Sequence, residues 1–270
     1  MKFTNKINQL ALVAMLFSST SLSQTVESPT TGPPASSFAA ASTMPAEALR
    51  AAAARASKVP KLAQYPVAVD PSSKKSTIHS DWASFNQGAA LSWIADMDVD
   101  CDGVNHECEG NPDGQSKTNW GALDAFQVPY IVIPDKFLSA NPAMLTGNNI
   151  AAVICDGKIL YGILGDTNGD TPQVTGEASW LMARTCFPND GLNGIKGHNA
   201  ADVTYILFTG PNSVLPHSAV DDKYITDFDM LRSMGDRLLN DLISNLDLSG
   251  EQGITSGAPR STAMGAVHGI

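Results

Sequence analysis

Two acidic residues, Asp166 and Glu177, lie at the two ends of one short loop and could face each other across a groove. Asp166 follows an apolar run that predicts a strand, and Glu177 comes eleven residues later, directly after a glycine. Asn168-Gly169 lies between them and favours a turn that brings the ends of the loop together. Paired carboxyl groups can serve as the general acid and general base of a hydrolytic reaction.

Each of these acids also has an ordinary explanation. Asp166 and Asp170 could be turn formers. Glu177 could be an acid in the first turn of a helix formed by ASWLMARTCF, where the macrodipole favours negative charge. Gly165, just before Asp166, has no side chain and would let a substrate approach the backbone closely. The local pattern alone leaves the catalytic and the structural interpretations open.

The stretch DMDVDCDGVNHECEG, residues 96–110, is a second concentration of carboxylates. Residues 98–109 match the calcium-loop pattern D-x-[DN]-x-[DN]-G-x5-E, with Glu109 as its final acid, but GNPDG follows and leaves no exiting helix. Alternation along a strand would instead point every second residue to the same side, toward a substrate. Asp96, Asp98, Asp100 and Asp102 would then share one side. A solvated acidic turn held by a disulfide is the third interpretation. We favour substrate binding by some of these aspartates, with Asp96 and Asp98 preferred to Asp100 and Asp102, and assign no metal site.

The elements that must position these acids are mostly strands. Four short apolar runs rich in β-branched and aromatic residues predict them: VPYIVIP, NIAAVIC, KILYGIL and ADVTYILFTG. Asp156-Gly157, between the second and third runs, predicts a hairpin. The segment TDFDMLRSMGDRLLNDLISNL predicts an amphipathic helix, with Thr226 and Asp229 at capping-box spacing. We therefore expect an α+β, β-rich fold: a single domain with a β-barrel-like core, a few helices and a C-terminal amphipathic helix.

The ends of the chain differ in composition from this domain. Residues 1–23 combine two lysines, an apolar stretch and a small-residue exit, which predicts a secretory signal peptide and a secreted, extracellular protein. Residues 24–60 are rich in Ser, Thr, Pro and Ala and predict a flexible leader that contains a short helix at PAEALRAAAARA. We expect residues 61–248 to form the folded domain and residues 249–270 to form a flexible tail.

Four cysteines suit an oxidising compartment and allow three connectivities. We favour Cys101–Cys108, which closes a short local loop, and therefore Cys155–Cys186.

Removal of residues 1–23 leaves 15 basic against 27 acidic residues, a formal charge of −12. Such a surface disfavours nucleic acid and anionic membranes as partners, whereas it attracts a polycation.

Metal and cofactor chemistry has little support in the sequence. The histidines do not show the HExxH spacing or another zinc-ligand pattern, and there is no phosphate-binding glycine loop. We expect no cofactor.

Several separated strings resemble the fungal chitosanases of glycoside hydrolase family 75. They are LYGILGDTNGDTPQVTGEASWLMARTCFP, with DMDVDCDG and NPDGQSKTNWGALDAFQVPYIVIP before it and ADVTYILFTGP after it, and the likeness covers roughly residues 60–245. The resemblance implies a catalytic domain over residues 61–248 that cleaves chitosan internally with inversion. It implies one catalytic Asp and one catalytic Glu, at Asp166 and Glu177, with Asp170 as a second candidate for the Asp.

A chitosan chain presents ammonium groups and the C–H faces of its sugar rings, so its subsites require acids and aromatic side chains. A core role remains open for each aromatic residue. The substrate-binding candidates are Asp96, Asp98, Asp170, Trp120, Trp180 and Tyr161. We expect a monomer. The alternative function is a secreted carbohydrate- or calcium-binding module without catalysis.

Overall fold

The computed structural model describes residues 32–70, 72–108 and 114–249. The predicted signal peptide (1–23), the start of the predicted leader (24–31) and residues 250–270 of the predicted tail lie outside these ranges. The described residues form one strand-rich domain around a closed barrel. The predicted α+β class with a barrel-like core is confirmed.

The described residues form eight strands and four α-helices, with two short 3-10 helices at Ala35–Ser37 and Pro211–Ser213. The strands are β1 (Gln64–Pro66), β2 (Lys75–Thr77), β3 (Ala90–Asp100), β4 (Tyr130–Pro134), β5 (Ile150–Cys155), β6 (Lys158–Asn168), β7 (Glu177–Ser179) and β8 (His198–Phe208). The helices are α1 (Ala46–Ala53), α2 (Asp135–Ala140), α3 (Trp180–Cys186) and α4 (Phe228–Asn245).

Six of the strands close the barrel in the order β3-β7-β4-β6-β5-β8, and β8 pairs back onto β3. β1 and β2 form a separate two-stranded sheet. β5 and β6 are joined at Asp156 and Gly157, whose φ angles of 48° and 70° are those of a type I′ turn. The predicted hairpin is therefore confirmed. β7 pairs in parallel with β3 and antiparallel with β4, so a strand of three residues is held on both sides.

The core consists of large side chains around and inside the barrel. Trp93 and Tyr205, from paired strands, stack with ring centroids 5.1 Å apart. α4 crosses β5 and β6, and Gly235 lies so close to the Tyr161 ring that a Cβ there would be 2.6 Å from it. The predicted C-terminal helix is present, but its N-cap is Asp227, whose side chain accepts the Met230 N–H. The Thr226 cap was predicted one residue too early.

The prediction of a flexible leader needs correction for residues 32–60. Phe38 and Leu49 are fully buried, and the backbone N–H of Tyr161 donates to the carbonyl oxygen of Phe38 at 2.7 Å. The Asp81 carboxylate accepts the Lys58 N–H at 2.7 Å. Although its composition is typical of a linker, the segment contains enough apolar surface to pack on the barrel. The short Ala-rich helix predicted within it is α1.

Both predicted disulfides are confirmed. Cys101–Cys108 closes a loop just after β3, and Cys155–Cys186 joins the end of β5 to the end of α3. Among the described residues, no helix combines the length and apolar composition that a membrane span requires.

Candidate active site

A cleft of about 350 Å³ opens over the adjacent strands β3, β7, β4 and β6, and its lining is strongly acidic. Gly194, Ile195, Lys196 and Gly197 close one side of it. The lining residues that the structure describes include one basic side chain, that of Lys196. They also include six carboxylates: Asp98, Asp100, Asp102, Asp166, Asp170 and Glu177.

The two candidate catalytic residues, Asp166 and Glu177, are aligned by the register of neighbouring strands of the barrel. Asp98 on β3 pairs with Glu177 on β7, Glu177 pairs with Val132 on β4, and Val132 pairs with Asp166 on β6. Paired residues on neighbouring strands point to the same face of a sheet. Asp166 and Glu177 therefore look into the cleft from opposite sides of Val132.

Asp166 is 4% exposed and is held by two main-chain donors. Its Oδ1 accepts the N–H of Asn119 at 2.9 Å and that of Thr167 at 2.8 Å. Burial raises the pKa of Asp166 to about 7, with the two N–H groups opposing and the charge of Asp102 adding to the shift. Its carboxylate form is therefore supported by hydrogen bonds but destabilised by its surroundings.

Gly165 has a packing role rather than the predicted role of exposing the backbone to substrate. A Cβ at Gly165 would lie 2.6 Å from the Tyr130 side chain and 2.9 Å from that of Leu123. The register of β4 against β6 shifts here, because Ile131 pairs with Leu164 and Val132 pairs with Asp166. Gly165 is thus the extra residue of a bulge that aims Asp166 into the cleft.

Glu177 lies in the strand β7. The sequence pattern allowed it to be in the first turn of a helix, and the structure differs on this point. α3 begins three residues later with Ser179 as its N-cap, so the macrodipole explanation for Glu177 is wrong. Burial raises the pKa of Glu177 well above its ordinary value. The charges of Asp100, Asp98 and Asp170 add to that shift, and a hydrogen bond from Asn168 Nδ2 to Oε1, at 3.3 Å, opposes it.

The acidic stretch after residue 96 supplies three carboxylates of the cleft. Asp98 and Asp100 alternate along β3, as predicted, and Asp102 follows in the turn closed by Cys101–Cys108. Burial raises the pKa of Asp98 to about 6 and that of Asp100 to about 8, the latter with the charges of Asp166 and Asp102 adding. The Asp102 N–H donates to Asp100 Oδ1 at 2.7 Å and fixes the turn.

Three of these acids have the spacing that a cation site would need. One oxygen each from Asp100, Asp102 and Asp166 lies within 4.8 Å of the others. This set differs from the calcium-loop interpretation, which used Glu109 as the final ligand; Glu109 lies outside the described residues.

Several predicted substrate-binding residues lie outside the cleft. Asp96 is 4% exposed and lies behind Gly176, where a Cβ would come 2.3 Å from its Oδ1. Tyr161 is fully buried and donates its hydroxyl hydrogen to Asp236 on α4 at 2.7 Å. These placements contradict direct binding by Asp96 and Tyr161, because neither side chain reaches the cleft. Asp98 and Asp170 do line it.

The two predicted tryptophans lie near the cleft but are not among its lining residues. Trp180 packs against Phe126, with ring centroids 5.4 Å apart, and under the Arg184 guanidinium. Trp120 lies against Gly147. It directly follows Asn119, whose backbone N–H donates to Asp166 Oδ1. Stacking of either ring on a sugar stays a prediction.

Sequence reasoning missed Asn168 and Lys196. Asn168 was interpreted only as a turn residue, although it follows Asp166 by two positions and alternation along β6 places both on one face. Lys196 comes from the segment before β8 and had no local signal that linked it to the acids.

Comparison with protein families matches residues 97–241 to a family described as fungal chitosanase of glycosyl hydrolase group 75. Endo-chitosanase C from Aspergillus oryzae is 63% identical over 222 residues, which cover 82% of this chain and 58% of that protein. Endo-chitosanase B from the same species is 39% identical over 164 residues, 53% of this chain and 66% of that protein. An endo-chitosanase from Aspergillus fumigatus is 38% identical over 162 residues, 53% of this chain and 67% of that protein. The chain thus spans less than two thirds of the length of the first of these relatives.

Proposed function

The chain belongs to the fungal chitosanases of glycosyl hydrolase group 75, and we propose that it cleaves β-1,4 linkages inside chitosan chains with inversion, using Asp166 and Glu177. The observation that carries the proposal is the placement of these two carboxyl groups on either side of Val132 in an acidic cleft. Hydrolysis of a glycosidic bond needs one acid and one base flanking the bond.

The spacing of the strands supports inversion. Two strand spacings separate β6 from β7 across β4, a distance of about 9.5 Å between backbones. Inverting enzymes keep their carboxyl groups about 6.5–9.5 Å apart to leave room for a water molecule, and retaining enzymes about 5–5.5 Å apart. This backbone separation matches the wider arrangement more closely than the narrower one.

The surroundings of the two groups favour different protonation states. Glu177 lies in a buried position near three carboxylates, which keeps its proton on and makes it the general acid that protonates the leaving oxygen. Asp166 accepts two main-chain N–H bonds, which favour its carboxylate and make it the general base that activates water. Ammonium groups of a bound chitosan chain add positive charge and further favour an ionised Asp166.

The other carboxylates suit a cationic polymer. Asp98, Asp100, Asp102 and Asp170 line the cleft around the catalytic pair. Their carboxylate forms attract the ammonium groups of glucosamine units, and a bound ammonium group in turn favours ionisation of Asp98 and Asp100. This attraction raises the local concentration of chitosan and discriminates against neutral chitin. The monomer expected from the sequence remains part of the proposal.

Secretion is part of the proposal. Its support is the predicted signal peptide over residues 1–23 and the two disulfides, which persist in oxidising compartments.

The test follows chitosan viscosity and new reducing ends with the wild type, Asp166→Asn and Glu177→Gln. Each variant is expected to lose activity by about 100-fold or more, since general acid–base catalysis contributes that much. Matched controls are Asp229→Asn and Glu47→Gln, which alter exposed acids on α4 and α1. Near-wild-type activity in either cleft variant, with the fold intact, would overturn the assignment. Time-resolved NMR should show the α-anomer first, and an initial β-anomer would contradict inversion.

A further inference from the structure

Asn168 bridges two carboxylates of the cleft. It is the last residue of β6, is 8% exposed and lies between Asp170 and Glu177. Its Nδ2 donates to Asp170 Oδ2 at 3.1 Å and to Glu177 Oε1 at 3.3 Å. One amide nitrogen therefore gives both of its hydrogens to acids.

The orientation of this amide is fixed by its other end. Asn168 Oδ1 accepts the backbone N–H of Val174 at 3.1 Å and that of Asp170 at 3.3 Å. A flipped amide would direct its NH₂ group at two N–H donors and its carbonyl oxygen at the Asp170 carboxylate, and these three contacts would be repulsive. The NH₂ group must face Asp170 and Glu177.

The two ends of the amide have separate effects. The carbonyl oxygen ties down the loop between Asp166 and Glu177, because both of its donors belong to that loop. The NH₂ group acts on Glu177, since a hydrogen bond to a carboxylate favours the ionised form. It opposes the burial and the neighbouring charges that hold the proton on Glu177.

We propose that Asn168 is a positioning residue for the general acid: it orients the Glu177 carboxyl group and stabilises the carboxylate that forms when Glu177 gives up its proton. The inference rests on the proposed function. Asp170 destabilises the Glu177 carboxylate, because its negative charge repels it. Asp170 also accepts the second hydrogen of the Asn168 NH₂ group. Together with burial and the charges of Asp100 and Asp98, these two residues determine the pH at which Glu177 stops acting as an acid.

Two variants test this with shifts of opposite sign. Asn168→Asp keeps an oxygen to accept the loop N–H groups but replaces the donor to Glu177 with another acid, so the pKa of Glu177 rises. The alkaline limb of the kcat–pH profile moves to higher pH, and kcat at the optimum falls about tenfold or more. Asp170→Asn removes a negative charge, so the pKa of Glu177 falls and the alkaline limb moves to lower pH.

The kcat–pH profiles are measured on hydrolysis of fully deacetylated chitosan, with thermal melting as a check of folding. A merely structural role for Asn168 would lower stability and activity without moving the limb. If Asn168→Asp does not fold, Asn168→Ala, which removes the amide donor without adding charge, should move the limb upward by less. If Glu177→Gln is inactive while neither variant at 168 nor Asp170→Asn moves the limb, the role of Asn168 is refuted and the proposed function stands. If Glu177→Gln is fully active, the proposed function itself fails.

Discussion

Gly197 lies directly against Asp98. A Cβ at residue 197 would come 2.1 Å from Asp98 Oδ1 and 2.7 Å from the carbonyl oxygen of Met97. The segment before β8 can therefore reach the edge of the cleft only because residue 197 has no side chain. Asp98 in turn pairs with Glu177, so this contact links the wall of the cleft to the proposed general acid.

Gly197→Ala should disturb both stability and substrate binding. The close atoms include backbone, which cannot rotate away, so we expect a loss of about 1–3 kcal/mol in the free energy of unfolding. KM for chitosan should rise because Asp98 or the segment before β8 must move. Gly169→Ala is the control for stability, since a Cβ there meets nothing within 4 Å. Urea unfolding and steady-state kinetics measure the two effects, and an unchanged unfolding midpoint for Gly197→Ala would contradict the close contact.

Asp96 should make the protein less stable as the pH rises. Burial, with the charge of Asp98 adding, raises the pKa of Asp96 to about 8. Because the folded state holds this proton more tightly than the unfolded state, the stabilisation is complete below about pH 4 and disappears as the pH approaches 8. From pH 5 to 7 this group lowers the free energy of unfolding by up to about 2.7 kcal/mol.

Asp96→Asn should remove this dependence. The variant is expected to gain stability relative to the wild type as the pH rises from 5 to 7, measured by urea unfolding at each pH. Asp229→Asn, on the exposed face of α4, should follow the wild-type curve. Parallel curves for Asp96→Asn and the wild type would show that Asp96 is ionised throughout this range.

The two-residue period of strands made part of the site predictable. It places Asp98 and Asp100 on one face of β3, and Asp166 with Asn168 on one face of β6, without any knowledge of the fold. The same period fails for Asp96, because the register against β8 shifts between Ala95 and Met97. Such a bulge depends on how the partner strand pairs, so the alternation of polar and apolar residues within one strand does not predict it.

The position of Glu177 was harder to predict. β7 has only three residues and runs directly into α3, so its sequence resembles the start of a helix. It is a strand because β3 and β4 bond to it from both sides, which is a tertiary effect. The burial of Tyr161 under α4 was equally invisible, since an aromatic residue on a strand does not reveal which face will be covered.

Lys196 should weaken the binding of a cationic substrate. Its side chain lines a cleft that also contains six carboxylates, and its Nζ donates to the carbonyl oxygen of Asp190 at 2.9 Å. An ammonium group held there repels the ammonium groups of chitosan. Lys196→Gln should therefore lower KM by about two- to fivefold at low ionic strength, and salt should reduce the difference by screening.

The control for this charge effect is Lys158→Gln, which removes a lysine at the start of β6, where it pairs with Asp156 in the preceding turn. KM should stay at the wild-type value in that variant. A higher KM for Lys196→Gln would mean that the lysine binds the sugar chain through its hydroxyl groups and does not repel it. A lower KM that persists unchanged in high salt would mean that the side chain obstructs the cleft by its size, because only an electrostatic effect is screened.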